Sequence, residues 1–103
     1  MNPMTKQPRV VCKKYTDAAC GNACVRCHVD DKTVVACHYS GRWSGALGNG
    51  MGKKCDDLFT ADLCGRCHSG FDLHQDGFTS EDFMFCILVT QRRRLHAGLI
   101  RLG

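Results

Sequence analysis

The sequence predicts a small α+β domain pinned by a metal ion and closed by a C-terminal helix. Three observations carry this. Cysteines fall in two Cys-x-x-Cys pairs, Cys24 with Cys27 and Cys64 with Cys67, a spacing that turns both sulfurs of a pair toward one ion. A β-branched run over residues 33–39 (Thr-Val-Val-Ala-Cys-His-Tyr), flanked by polar turn residues, reads as a strand. Thr79-Ser80-Glu81-Asp82 places a hydroxyl cap and two acids ahead of an apolar-periodic stretch, the signature of a helix start.

Taken in order, residues 1–11 are polar, carry both prolines and form a flexible N-terminal tail; residues 12–103 form one domain. Residues 10–15 read as a short strand. Residues 20–23 form a turn into the first cysteine pair, and residues 28–32 a polar turn out of it. The strand over 33–39 leaves His38 at its end, where a side chain can turn from the core. Residues 40–55 form a long loop with Gly41, Gly45, Gly48, Gly50 and Gly52, Arg42 and Trp43 near its start, and Lys53 and Lys54 near its end. Residues 56–63 return the chain as a brief strand or turn. A short helix starts at Cys64 and stops near residues 74–77. The last helix spans about 80–101, with Phe83, Ile87, Leu95 and Leu99 in phase on its core face.

Nine cysteines in 103 residues suggest a disulfide framework only in an exported chain, and the odd count leaves one over. No apolar run of signal-peptide length follows the N-terminal charges. The reading is therefore a cytoplasmic protein whose thiols stay reduced and bind metal. The apolar run at residues 83–89 is far too short for a membrane span, so no membrane partner is expected. A net charge of +4 does not identify a partner by itself. Its placement says more: Arg42, Lys53 and Lys54 around the glycine-rich loop, and Arg92, Arg93 and Arg94 on the last helix, suit a phosphate backbone.

Cys24, Cys27, Cys64 and Cys67 form the ligand set for a tetrahedral structural Zn²⁺, with Cys20 as a rival for one position because it lies four residues before Cys24. Cys12, Cys37, Cys55 and Cys86 read as small buried or partly buried residues. Each pair is also followed by a histidine, His28 and His68, which is the c-type haem attachment pattern twice over. That chemistry needs export, which argues against a dihaem cytochrome. If a helix starts at the second pair, His68 and Asp72 lie one turn apart on one face, a nitrogen beside a carboxylate.

The order of these parts resembles the HNH, or ββα-metal, endonucleases of treble-clef fold. A zinc pair comes first, then a strand ending in His38, then a second pair opening a helix. Within that group it is closest to the small phage and prophage nucleases of the YbcO type, on residues 33–39, 50–57 and 63–68 together with Asp72. The resemblance implies a metal-dependent DNA endonuclease in a bacterial host cell, acting in phage or prophage DNA processing. It implies His38 as the general base, and His68 and Asp72 as holders of a catalytic Mg²⁺ or Mn²⁺. Two positions depart from the broader pattern. Cys37 stands where aspartate often precedes the base, and the usual middle asparagine is missing. Asp57 and Asp62 are the nearest polar substitutes, and Asp57 is favoured for orienting His38 or assisting the ion. The competing reading is a zinc-dependent nucleic-acid-binding module without catalysis.

Overall fold

The computed structural model describes residues 9–41, 55–75 and 77–102. The elements are α1 (Lys13–Asp17), β1 (Val35–His38), a 3-10 turn (Asp57–Phe59), β2 (Thr60–Leu63), α2 (Gly65–Asp72) and α3 (Ser80–His96). This is the expected α+β chain with a C-terminal helix. β1 and β2 pair antiparallel, Val35 opposite Leu63 and His38 opposite Thr60. β2 runs through Cys64, the N-cap of α2, directly into that helix. The order strand, strand, helix is thus built from consecutive neighbours. All four residues of β2 are buried because β1 lies along its side and α3 is packed against it.

α3 opens as its sequence dictates. Thr79 Oγ1 accepts the Asp82 N–H at 3.2 Å while Asp82 Oδ2 accepts the Thr79 N–H, a reciprocal capping box. Its far end differs from expectation. The helix stops at His96, not Arg101, because Gly98 takes φ +79° and lets the Leu99 N–H bond back to Arg94 O at 2.9 Å, with Gly98 N–H on Leu95 O. That is a Schellman ending, for which glycine is the favoured residue. The buried face of α3 differs as well. Phe83, Cys86, Ile87, Thr90 and Arg94 face inward, whereas Leu95 and Leu99 are on the surface.

Arg94 explains that shift. It is 1% exposed and grips Asp62 of β2 with two parallel bonds, Nη2 to Oδ1 at 2.6 Å and Nη1 to Oδ2 at 2.8 Å. Its Nε donates to Tyr15 O at 2.7 Å. A buried ion pair is tolerable only when its remaining hydrogen-bonding groups are also satisfied. Here Thr90 Oγ1 takes the Asp62 N–H, and Asp62 O takes the Val25 N–H from the first cysteine segment.

α1 is a correction at residues 10–15. Val10 and Val11 suggest a strand, yet Lys13–Asp17 form a helical turn whose one buried side chain, Tyr15, lies under the Arg94 guanidinium. Arg9 and Val10, placed by sequence in the tail, are bound to the 3-10 segment. Arg9 Nε donates to Cys55 O, and Val10 O accepts from the Asp57 N–H. The rest of the core is aromatic. Tyr39, Phe71, Phe78 and Phe83 pack with ring centroids 4.6 to 6.4 Å apart, joining the end of β1 to α2 and α3. Gly41 passes this cluster so closely that a Cβ there would run into Ser80 Oγ and the Tyr39 ring. Among the described residues no helix is long and apolar enough to cross a membrane.

Candidate metal centre and adjoining imidazole–carboxylate pairs

The sulfurs of Cys24, Cys27, Cys64 and Cys67 all lie within 4.8 Å of one another, and Cys27 Sγ is 3.6 Å from Cys64 Sγ. Four sulfurs at about 2.3 Å from a tetrahedral zinc would be about 3.8 Å apart, so the cluster fits a single ion such as zinc. Cys20 is exposed and outside the cluster, which assigns the disputed position to Cys24. Convergence on one point also favours one shared ion over two separate haems.

The ligands are positioned from both halves of the chain. In the first segment the His28 N–H bonds to Cys24 O and the Cys24 N–H to Val29 O, closing a turn in which His28 adopts φ +68°. In the second the Gly65 N–H bonds to Thr33 Oγ1, which locks the start of α2 beside β1. Burial acts against a thiolate at Cys24, but N–H groups of Cys27, Cys64 and Arg26 outweigh it and bring the thiol down to about 7. Burial instead drives Cys67 up to about 12, against the pull of the Arg26 guanidinium 3.8 Å from its sulfur. The N–H groups around Cys24 favour its thiolate, and an ion among the four sulfurs would favour the thiolate of each. The other cysteines divide. Cys37, Cys55 and Cys86 are buried, and burial pushes Cys37 to about 12 and Cys86 to about 11. Cys12, expected to be at least partly buried, is exposed.

His38 and Asp57 meet at the end of the sheet. His38 Nε2 is 2.8 Å from Asp57 Oδ1, and Asp57 is 5% exposed. The carboxylate is held from two more sides, by the Cys12 N–H on Oδ2 at 2.7 Å and by Arg9 Nη2 at 3.4 Å. Burial works against its charge, but the bonds from His38 and Cys12 and the charge of Arg9 more than offset it and hold the carboxyl below the usual carboxylate range. An ionised carboxylate can only accept, so Nε2 must donate the proton it carries. When the ring is neutral the lone pair is then on the other nitrogen, Nδ1, which has no hydrogen bond to a described residue. Arg9 and Cys12 were not legible as part of this arrangement, since a backbone N–H and a tail arginine leave no motif.

His68 and Asp72 form the second pair, on the outer face of α2. Nε2 and Oδ2 are 3.4 Å apart and both side chains are about half exposed. Neighbouring ligands of an octahedral ion at about 2.1 Å are about 3 Å apart, so the two can occupy adjacent positions and leave the others open. No third His, Cys, Asp or Glu side chain joins them among the described residues. Asp72 and His74 border a cleft of about 380 Å³ that continues over Ser40, Gly41, Thr79 and Ser80, just beyond the end of β1.

The basic residues separate. Arg92 is exposed; Arg93 is partly buried and bonded to Ala23 O and Asp62; Arg94 is fully buried and so cannot touch a nucleic acid in this fold. Arg42, Trp43, Lys53 and Lys54 lie outside the described residues. Asp62, the rival of Asp57, is wholly engaged by Arg94. No protein-family model, no curated protein and no solved structure matches this chain.

Proposed function

We propose that this protein is a metal-dependent endonuclease that hydrolyses DNA phosphodiester bonds, of the HNH type, in phage or prophage DNA processing. The observation that carries the reading is the His38–Asp57 pair at the end of β1. Asp57 fixes the ring so that Nδ1 is the basic nitrogen, and a neutral imidazole in that state can take a proton from water at neutral pH. Four converging sulfurs, three of them on buried cysteines, support a structural role for zinc, because a four-sulfur shell leaves no coordination position for substrate. His68 and Asp72 are the side chains that would hold Mg²⁺ or Mn²⁺. Such an ion supplies charge stabilisation on the phosphate and the leaving oxygen. Asp72 borders the cleft beyond β1, which supports placing a bound phosphate on that side of α2.

A second reading has its own support. His68 and Asp72 lack a third protein ligand among the described residues, which favours a zinc-built nucleic-acid-binding module without chemistry. Incubation of the zinc-loaded protein with supercoiled and branched DNA in Mg²⁺ or Mn²⁺ separates the two. The nuclease reading expects cleavage that chelator stops, and a His38→Ala protein that stays folded and zinc-loaded but loses about 10²–10⁴-fold in rate. Salt-dependent binding by both proteins with no cleavage by either overturns it in favour of the binding module.

A further inference from the structure

The outer face of α3 carries a stripe that the fold leaves uncovered. Glu81, Phe85, Leu88 and Arg92 succeed one another at helical spacing and all are exposed, Phe85 by 65% and Leu88 by 63%. They lie on the side of the helix opposite Phe83, Ile87, Thr90 and Arg94, which pack inward. Apolar surface continues past Leu88 into a shallow hollow lined by Phe59, Met84 and Gln91.

The stripe is palindromic in chemistry: acid, apolar, apolar, base. When a second α3 is laid across it antiparallel, with the two-fold axis between Cys86 and Ile87, each Phe85 faces the other copy's Leu88. Each Glu81 then faces the other copy's Arg92. A two-fold interface must be complementary to itself in this way. Neither Glu81 nor Arg92 forms an ion pair with another described residue. Eleven residues of helix hold them about 16 Å apart in one chain, so they cannot pair with each other there. The helix ends agree with the arrangement, since Glu81 in the first turn of one copy meets the exposed Arg92 and His96 near the end of the other.

The geometry points to a homodimer formed by antiparallel packing of α3 through Phe85 and Leu88, registered by two Glu81–Arg92 pairs. One helix pair is at the small end of specific interfaces, so the dimer dissociates at about micromolar concentration.

Sedimentation equilibrium of the zinc-loaded full chain over a wide concentration range tests this. The wild type shows a monomer–dimer equilibrium, and Leu88→Asp, at an exposed position, is monomeric with its zinc and helix content retained. Glu81→Arg and Arg92→Glu each weaken the dimer about tenfold, because symmetry places every like-charge contact twice. The double variant Glu81→Arg/Arg92→Glu recovers the wild-type affinity. The two changes each oppose the helix dipole, and those penalties add in the double variant, so recovery reports the contact between copies. A wild type that stays monomeric overturns the proposal, even where another protein binds the stripe. A dimer indifferent to Leu88→Asp, or a double variant no tighter than the single ones, overturns it as well.

Discussion

The two Cys-x-x-Cys-His segments are alike on paper and unlike in space. Both contribute two sulfurs to one cluster. After the first, His28 takes a left-handed backbone, its side chain lies exposed, and the chain leaves through a polar turn in which Lys32 is also left-handed. After the second, His68 stands inside α2 with Asp72 one turn on. The difference comes from the residues just after each motif. Val29-Asp30-Asp31-Lys32 has nothing to bury as a helix, whereas Ser69-Gly70-Phe71 places Phe71 against Tyr39, Phe78 and Phe83. The same five-residue pattern yields a closed turn in one place and a side-chain platform in the other. The motif sets the ligands, and the residues beyond it decide whether its histidine is presented.

Removing the ion that the four sulfurs would hold tests what the segments share. Chelation, or Cys27→Ser as much as Cys64→Ser, should abolish the cooperative thermal transition, read by circular dichroism with zinc content measured alongside. Structural zinc contributes about 10 kcal/mol or more, which matches or exceeds the whole stability of a typical small domain.

Next come the effects that separate them. Under the proposed nuclease function, His68→Ala should raise the Mg²⁺ or Mn²⁺ needed for half-maximal cleavage at least tenfold, roughly the scale on which disturbed metal sites lose affinity. His28→Ala should leave that titration unchanged. Arg94→Ala should cost about 3–5 kcal/mol by calorimetry, since it leaves the buried Asp62 carboxylate with only the longer contact to Arg93. Arg94 and Asp62 also tether the first segment, through Tyr15 O and the Val25 N–H. Hydrogen exchange should therefore speed up at residues 24–28 before residues 64–68.

Smaller effects lie elsewhere. The folded-state value of the Asp57 carboxyl lies below its unfolded one. Its contribution to stability is therefore complete above about pH 4 and is lost as pH falls through the folded value. Asp57→Asn should flatten that limb of the acid-unfolding curve. His28→Gly should be neutral or slightly stabilising in a thermal melt, because glycine adopts φ +68° without strain. Lys13→Ala, which removes an exposed pair with Asp17, should leave the melt unchanged.

Much of the frame was legible in the sequence. The valine run ends in His38 at the end of β1, the second cysteine pair opens α2, and the capping box opens α3. Each of these signals is local. What escaped depends on distant partners. α1 forms around Tyr15, whose reason to be buried is Arg94, far along the chain. The arginine run reads as a phosphate-binding patch, although Arg94 continues the phase of Phe83, Ile87 and Thr90, and that spacing was available. Gly98 after Ala97 was likewise a stop signal for the last helix. In the site, the sulfur cluster followed from spacing. Spacing did not choose Asp57 over Asp62; the resemblance favoured Asp57, and the structure gives the physical reason, His38 against Asp57 and Arg94 against Asp62.

The bond between the Val25 N–H and Asp62 O has a kinetic consequence. Residues 60–96 hold Cys64 and Cys67, and their internal packing of α3 and α2 on β2 closes shorter stretches of chain than the bond to Val25 does. Contacts of lower sequence separation form earlier, so this part is suited to assemble before the first cysteine pair joins it. The first cysteine pair must then be recruited by closing the chain between Cys27 and Cys64. The cost of closing a flexible loop grows only with the logarithm of its length, about 0.6 kcal/mol per doubling. Lengthening the chain between Cys27 and Cys64 should therefore slow metal-triggered folding only slightly.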